Sequence, residues 1–201
     1  MKNLIIITFL ILLNSCTSTR ITSSWKEPNK ALKISNLKKV LVVALLKNET
    51  SIHKAEDEMV RYLSGKGIVS YNYLNANFNK EKEDAIRSKI KKDGFDGAIT
   101  MRLLDVDKET NYSQSSISSY PVYYQTFSGY YYRNVNYYNE PEYYTTTKTY
   151  TVETNVFSIK EDKIIWTGLT ESTNPDGVDK MTKEIVKVVY KKMVDEGFIK
   201  K

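Results

Sequence analysis

The longest apolar run of the chain beyond its N-terminus, Val40-Leu41-Val42-Val43-Ala44-Leu45-Leu46, contains neither Gly nor Pro. A strand with both faces buried reads this way, so the run predicts a central position in a sheet. Ile52, Ala55, Met59 and Leu63 then recur at helical spacing, which predicts a helix capped by Thr50 or Ser51 and stopped at Gly65-Lys66-Gly67. Ile68 to Leu74 predicts a second strand. A second helix is expected from Asn79, with Glu81, Glu83 and Asp84 near its positive end, Ile86 and Ile90 inward, and a stop at Asp93-Gly94. From Gly97 to Val106, Ile99, Met101 and Leu103 alternate with polar positions as in a third strand.

Thr147 to Ile159 alternates again, and Lys160-Glu161-Asp162-Lys163 supplies a polar turn before Ile164 to Thr170 returns, which predicts an antiparallel hairpin. Pro175 suits a first helical turn, and Val178, Met181, Ile185, Val188, Val189 and Met193 form an apolar stripe ending at Gly197. The pattern as a whole defines an α/β fold: a mixed sheet of about five strands with three helices in the order β-α-β-α-β-β-β-α.

The N-terminus has a different character. After Met1-Lys2, the segment Leu4 to Leu13 is an apolar run of ten residues. This suits a signal-peptide core and falls well short of the roughly 20 residues that cross a bilayer. Leu13-Asn14-Ser15-Cys16 follows directly and resembles the lipobox of bacterial lipoproteins, with an aliphatic residue at −3, a small one at −1 and cysteine at +1. A thiolate is the nucleophile able to accept a lipid. The resemblance implies a diacylglyceryl group on Cys16, removal of the residues before it and acylation of the new terminus with a fatty chain such as palmitate. Thr17 in place of Asp matches the outer-membrane class of that family, with the periplasm as the default face. The implied organisation is a signal peptide at 1–15, the lipidated cysteine and a flexible Ser/Thr-rich tether at 16–36, and one domain at 37–201 carrying an insertion at 108–146. Trp25 in the tether is expected to dock on the domain, with the membrane interface as the alternative.

Lys39-Val40-Leu41-Val42-Val43, Phe95-Asp96-Gly97-Ala98-Ile99 and Lys163-Ile164-Ile165-Trp166-Thr167-Gly168, in this order of elements, are similar to the N-terminal domain of TolB and the periplasmic domain of the curli-secretion lipoprotein CsgG. That resemblance spans most of residues 38–197 and implies an envelope assembly or interaction role rather than catalysis. Insertions in CsgG become barrel hairpins, whose strands alternate over about 9 to 11 residues; here Tyr123-Tyr124 and Tyr130-Tyr131-Tyr132 break such alternation.

The insertion is the unusual part of the chain. Tyrosines crowd it among Ser, Asn, Gln and Thr, with aliphatic residues nearly absent, so it is unable to build a core of its own. A tyrosine joins a flat apolar ring to a hydrogen-bonding tip, which suits a partner protein, a polysaccharide or a bilayer interface, the plain alternative being a disordered or self-packed extension without a ligand. Tyr123, Tyr124, Tyr130, Tyr131, Tyr132, Tyr137 and Tyr138 are therefore the candidate partner-binding residues. Two functions follow: a lipid-anchored interaction or assembly module, or an exported glycan or peptidoglycan binder whose rings stack on sugars. The expected partners are the membrane, through the anchor, and an envelope protein or glycan; the sequence sets no oligomeric state.

Charge and candidate chemistry narrow the picture further. The net charge is +6 and the pI about 9.1, but Lys mixes with Asp and Glu along nearly every segment, which argues against a nucleic-acid stripe. One cysteine allows no intramolecular disulfide. Ser51-Ile52-His53-Lys54 matches an S-x-x-K motif without its S-D-N and K-T-G companions. His53 is the only histidine, so zinc has no ligand set. Asp105, Asp107 and Glu109 alternate at a strand end, but Thr110 and Ser116 stand where a calcium loop needs Gly and Glu. The expectation is a protein that is not an enzyme and uses no cofactor or metal.

Overall fold

The computed structural model describes residues 18–74, 83–109, 126–134 and 147–200. In chain order the elements are β1 (Thr19–Lys26), β2 (Leu32–Lys33), β3 (Val40–Leu45), α1 (Glu49–Arg61), β4 (Gly67–Val69), α2 (Ser70–Tyr73), α3 (Glu83–Lys92), β5 (Gly97–Glu109), α4 (Phe127–Asn134), β6 (Thr147–Ser158), β7 (Lys163–Thr173), α5 (Gly177–Asp195) and β8 (Ile199–Lys200). A six-stranded sheet runs β1-β7-β6-β5-β3-β4, and β2 pairs separately with β8. β3 lies parallel to β4 and β5, while β5-β6, β6-β7 and β7-β1 are antiparallel. The mixed α/β architecture is the one the hydrophobic pattern predicts.

Every side chain of β3 is buried, alternately on the two sides of the sheet. Val40, Val42 and Ala44 join Ala55 and Met59 of α1 and Ile185, Val186, Val189 and Met193 of α5 in one core. Leu41, Val43 and Leu45 point the other way, onto Ile86 and Ile90 of α3 and Phe127 and Tyr130 of α4. Helices on both faces of a central strand account for its unbroken apolar run.

Four local outcomes differ from the sequence reading. The expected tether at 16–36 is largely structure: Thr19–Lys26 is the sixth strand, antiparallel to β7 from Thr19↔Ser172 to Lys26↔Trp166 with a bulge between Ile21 and Ser23. Its hydroxyls hold it there. Ser18 and Thr19 each donate to Glu184 Oε2 at 3.0 Å, Ser24 donates to Glu196 Oε1 at 2.6 Å, and Lys26 Nζ reaches the Glu196 carbonyl at 2.7 Å. An edge strand seated by such bonds needs few apolar residues, so its composition resembles a linker. Trp25 lies on this strand opposite Thr167, 36% exposed.

The second difference is the run Ile68 to Leu74, which leaves the strand after Val69 and turns into α2. The buried Glu56 carboxylate takes the Ser70 and Tyr71 N–H groups at 2.5 and 3.3 Å, supplying the acceptor that a helix start needs. Third, Asn48 rather than Thr50 or Ser51 caps α1, accepting the Ser51 N–H at 3.2 Å. Fourth, the helices number five among the described residues, against about three expected, because α2 and α4 are added. The hairpin turn carries no glycine; Asp162 takes the left-handed conformation there, with φ 55°, which Asp tolerates better than most residues.

Gly168 has a steric role. A Cβ there would meet the Trp166 ring at 2.4 Å. The bare backbone lets the fully buried indole lie along the strand, where its Nε1 donates to Glu196 Oε2 at 2.8 Å.

Candidate functional site

β3 and β5 end where β1, β6, α1 and α5 begin, so one end of the sheet gathers many chain turns. A cleft of about 160 Å³ opens there between α1, α5 and the sheet. Leu46, Leu103, Tyr150, Val152, Met181 and Ile185 give it an apolar lining, and Lys47, Asn48, Ser51 and Thr182 stand among the remaining groups. A volume near this size accommodates one aromatic ring or a short hydrocarbon stretch. The lining is mostly apolar and so suits apolar matter.

Of the S-x-x-K residues Ser51 lines this cleft, and Lys54 and the intervening His53 are engaged in contacts elsewhere. The Ser51 N–H is taken by the Asn48 cap, Lys54 Nζ pairs with Asp179 Oδ1 at 2.5 Å, and His53 stacks on Tyr71 with centroids 3.9 Å apart. Tyr71 donates to Asp57 at 2.7 Å, and this bond, with some burial and the Asp57 charge, pushes its hydroxyl pKa up to about 12. Asp105 and Asp107 lie exposed on β5.

On the opposite face a buried polar trio lies under α4. Arg102 of β5 is the register partner of Glu153 of β6, with Nε 3.4 Å from Glu153 Oε2. Tyr130 donates its hydroxyl to the same carboxylate oxygen, and the guanidinium lies 5.2 Å from the Tyr130 ring centroid. Burial first, and then the Glu153 charge, raise the Tyr130 hydroxyl pKa well above its ordinary value, so it stays a donor. Glu56 forms another buried polar centre: besides Ser70 and Tyr71 it accepts from the Ala44 N–H at 2.8 Å and the Ser70 hydroxyl at 2.5 Å. Burial raises the Glu56 pKa, against the pull of these four donors.

Of the residues singled out from sequence, Cys16, Tyr123, Tyr124, Tyr137 and Tyr138 lie outside the described residues. Tyr131 and Tyr132 belong to α4. Tyr130 is a correction: it is fully buried, packed on Phe157 at 5.7 Å between centroids, and it belongs to the core rather than to a contact surface. The described part of the insertion thus contributes Phe127 and Tyr130 to the second core. Sequence reasoning also missed Glu56, Arg102 and Glu153. A lone carboxylate inside an apolar helical stripe, as Glu56 is beside Ala55 and Met59, was the available signal.

No family model matches the chain, and no curated protein matches it either. Among solved structures it is similar to the PelC dodecamer from Paraburkholderia phytofirmans, at 9% identity and TM-score 0.47 over 85% of this chain and 94% of that one. Lipoprotein GNA1162 from Neisseria meningitidis is similar at 8% identity and TM-score 0.39, over 78% of this chain and 98% of that one. At such identities and scores the likeness concerns the chain path and transfers no residue roles.

Proposed function

We propose that this chain is a lipid-anchored protein of the bacterial cell envelope, acylated at Cys16, facing the periplasm from the outer membrane and serving as a non-catalytic interaction or assembly module. The observation that carries the reading is Leu13-Asn14-Ser15-Cys16 set directly after a ten-residue apolar run. The fold is consistent with processing at that point. β1 begins at Thr19, so a chain cut before Cys16 retains every described element. Among the described residues no helix is long and apolar enough to cross a membrane. The resemblance of Lys39–Val43, Phe95–Ile99 and Lys163–Gly168 to TolB and CsgG patterns, if it reflects kinship, implies the same envelope role. A non-catalytic role is supported by the pairing of Lys54 with Asp179 and the packing of the His53 ring on Tyr71, the contacts of the two groups that could activate Ser51.

Metabolic labelling with an alkyne-bearing palmitate tests the anchor. The wild-type chain is expected to take the label and partition into detergent, and Cys16→Ser to lose both properties; an unlabelled wild-type protein would refute the reading. The partner surface is assigned to tyrosines flanking α4, because Phe127 and Tyr130 are needed for the core. Replacing Tyr123, Tyr124, Tyr137 and Tyr138 together by Ser should leave the fold intact and abolish crosslinking to envelope partners in intact cells. Retention of the wild-type chain on purified sacculi, lost in the same variant, would instead establish the glycan-binding alternative.

A further inference from the structure

We propose that the domain sits directly on the lipid bilayer by the end of the sheet at which β1 starts, with Val178 and the adjoining apolar cleft against lipid. This rests on the acylation of Cys16.

The argument begins with chain length. Ser18 is already fixed, its hydroxyl on Glu184 at 3.0 Å and its carbonyl accepting the Thr173 N–H at 3.0 Å. Only Thr17 separates it from the acylated residue. An extended chain spans at most about 3.6 Å per residue, so the two steps from Ser18 to Cys16 reach roughly 7 Å. A domain held that closely has no room to stand off, and the strand end at Thr19 faces the headgroups.

Register then identifies what else faces them. Thr19 pairs with Ser172, Ser172 with Tyr150, and Tyr150 with Val106, so these four form one row across the sheet. Tyr150 lines the cleft, together with Leu46 beyond the end of β3 and Val178 in the first turn of α5. Val178 is 39% exposed, more than any other large apolar side chain of the helices among the described residues. Trp25 lies toward the other end of β1, opposite Thr167.

The chemistry favours acyl chains over headgroup charge. Several cations near this end have acidic partners: Lys54 on Asp179 at 2.5 Å, Lys180 near Asp176 at 3.9 Å and Arg20 on Glu171 at 2.9 Å. The contact is accordingly apolar and resists salt, unlike one made by exposed charges.

Cys16 is the only cysteine and its thiol is consumed by the lipid, so an added cysteine takes a nitroxide label alone. Purified full-length acylated protein, its modification checked by mass spectrometry, is placed in phosphatidylethanolamine–phosphatidylglycerol vesicles carrying the label through Val178→Cys or, at the opposite end, Lys160→Cys. Collision with a water-soluble nickel chelate is expected to be several-fold lower at position 178 than at 160, at both low and high salt. A label through Lys180→Cys gives a second reading should Val178→Cys fold poorly. Equal accessibility at the two ends in protein of confirmed acylation overturns the docking and leaves the anchor standing. Absence of the acyl mass overturns the anchor itself, and the docking with it.

Discussion

On the face of the sheet covered by α1 and α5, the core is mostly aliphatic and its helices present Ala55, Met59, Ile185, Val186, Val189 and Met193 at regular spacing. The face covered by α3 and α4 relies more on rings, with Phe95, Phe127, Tyr130 and Phe157, and holds the Arg102–Glu153–Tyr130 trio. Apolar burial is non-directional, so the first face tolerates rearrangement of equal volume. A buried ionic network is satisfied in one geometry only. The second face therefore ties a short helix, drawn from a polar and aromatic insertion, to a single seat on the sheet.

The largest expected effect lies on the first face, at its largest buried ring. Trp166→Ala should cost about 3 to 5 kcal/mol, as expected for a fully buried aromatic replaced by a methyl group. Urea unfolding followed by circular dichroism measures it. A cost below about 1 kcal/mol would mean that this face repacks around the void, and the contrast between the two sides would then be greater than drawn here. Gly168→Ala approaches the same ring from the other side, since the new methyl group would meet the indole at 2.4 Å. Forced displacement of a packed ring is expected to cost about 1 to 3 kcal/mol, and the additional loss in a Trp166→Ala background should vanish.

The same contrast explains how much of the molecule was legible in the sequence. Helical spacing marks α1 and α5, and the all-buried β3 needs no other signal than seven apolar residues in a row. The hairpin of β6 and β7 follows from alternation about a polar turn. β1 escaped because it is held by Ser18, Thr19, Ser24 and Lys26 rather than by apolar burial. α4 escaped for a related reason: Phe127 and Tyr130 are spaced for one helical turn, but their neighbours are also aromatic, so no periodicity separates the buried ring from those beside it. Arg102 and Glu153, far apart in the sequence, come together only through strand register. Local pattern carries no trace of such a pair.

Tyr130→Phe sharpens the comparison because it removes one hydroxyl and leaves the ring. Glu153 would keep Arg102 but lose a buried donor, at an expected cost of about 1 to 3 kcal/mol. Met193→Leu, a swap of similar volume on the first face, should cost under about 1.5 kcal/mol. If the two variants unfold at the same denaturant concentration, the trio does no more for its face than ordinary packing.

The smallest effect separates two carboxyl groups on the first face by the sign of their pH dependence. Burial raises the Glu56 pKa above its ordinary 4.5, so the folded state holds that proton more tightly, and the contribution declines as pH rises through 4.5 toward the raised value. At Glu196 burial also pushes upward, but hydrogen bonds from Ser24, Trp166 and Lys192 outweigh it and the pKa falls below 4.5. Its contribution is therefore complete above 4.5 and disappears as pH drops through the lowered value. Glu196→Gln should cost roughly 1 kcal/mol at neutral pH, the scale of a hydrogen bond to a charged group less what the amide retains. The gap from wild type should narrow on acidification below 4.5, because the wild-type carboxyl then becomes neutral as well. Unfolding midpoints measured from pH about 7 down to about 3 read the change, a window that brackets the ordinary carboxyl range. A gap of constant width would mean that Glu196 clamps β1 to α5 by shape and hydrogen bonding alone, with its charge irrelevant, and the two carboxyls would no longer stand in opposition.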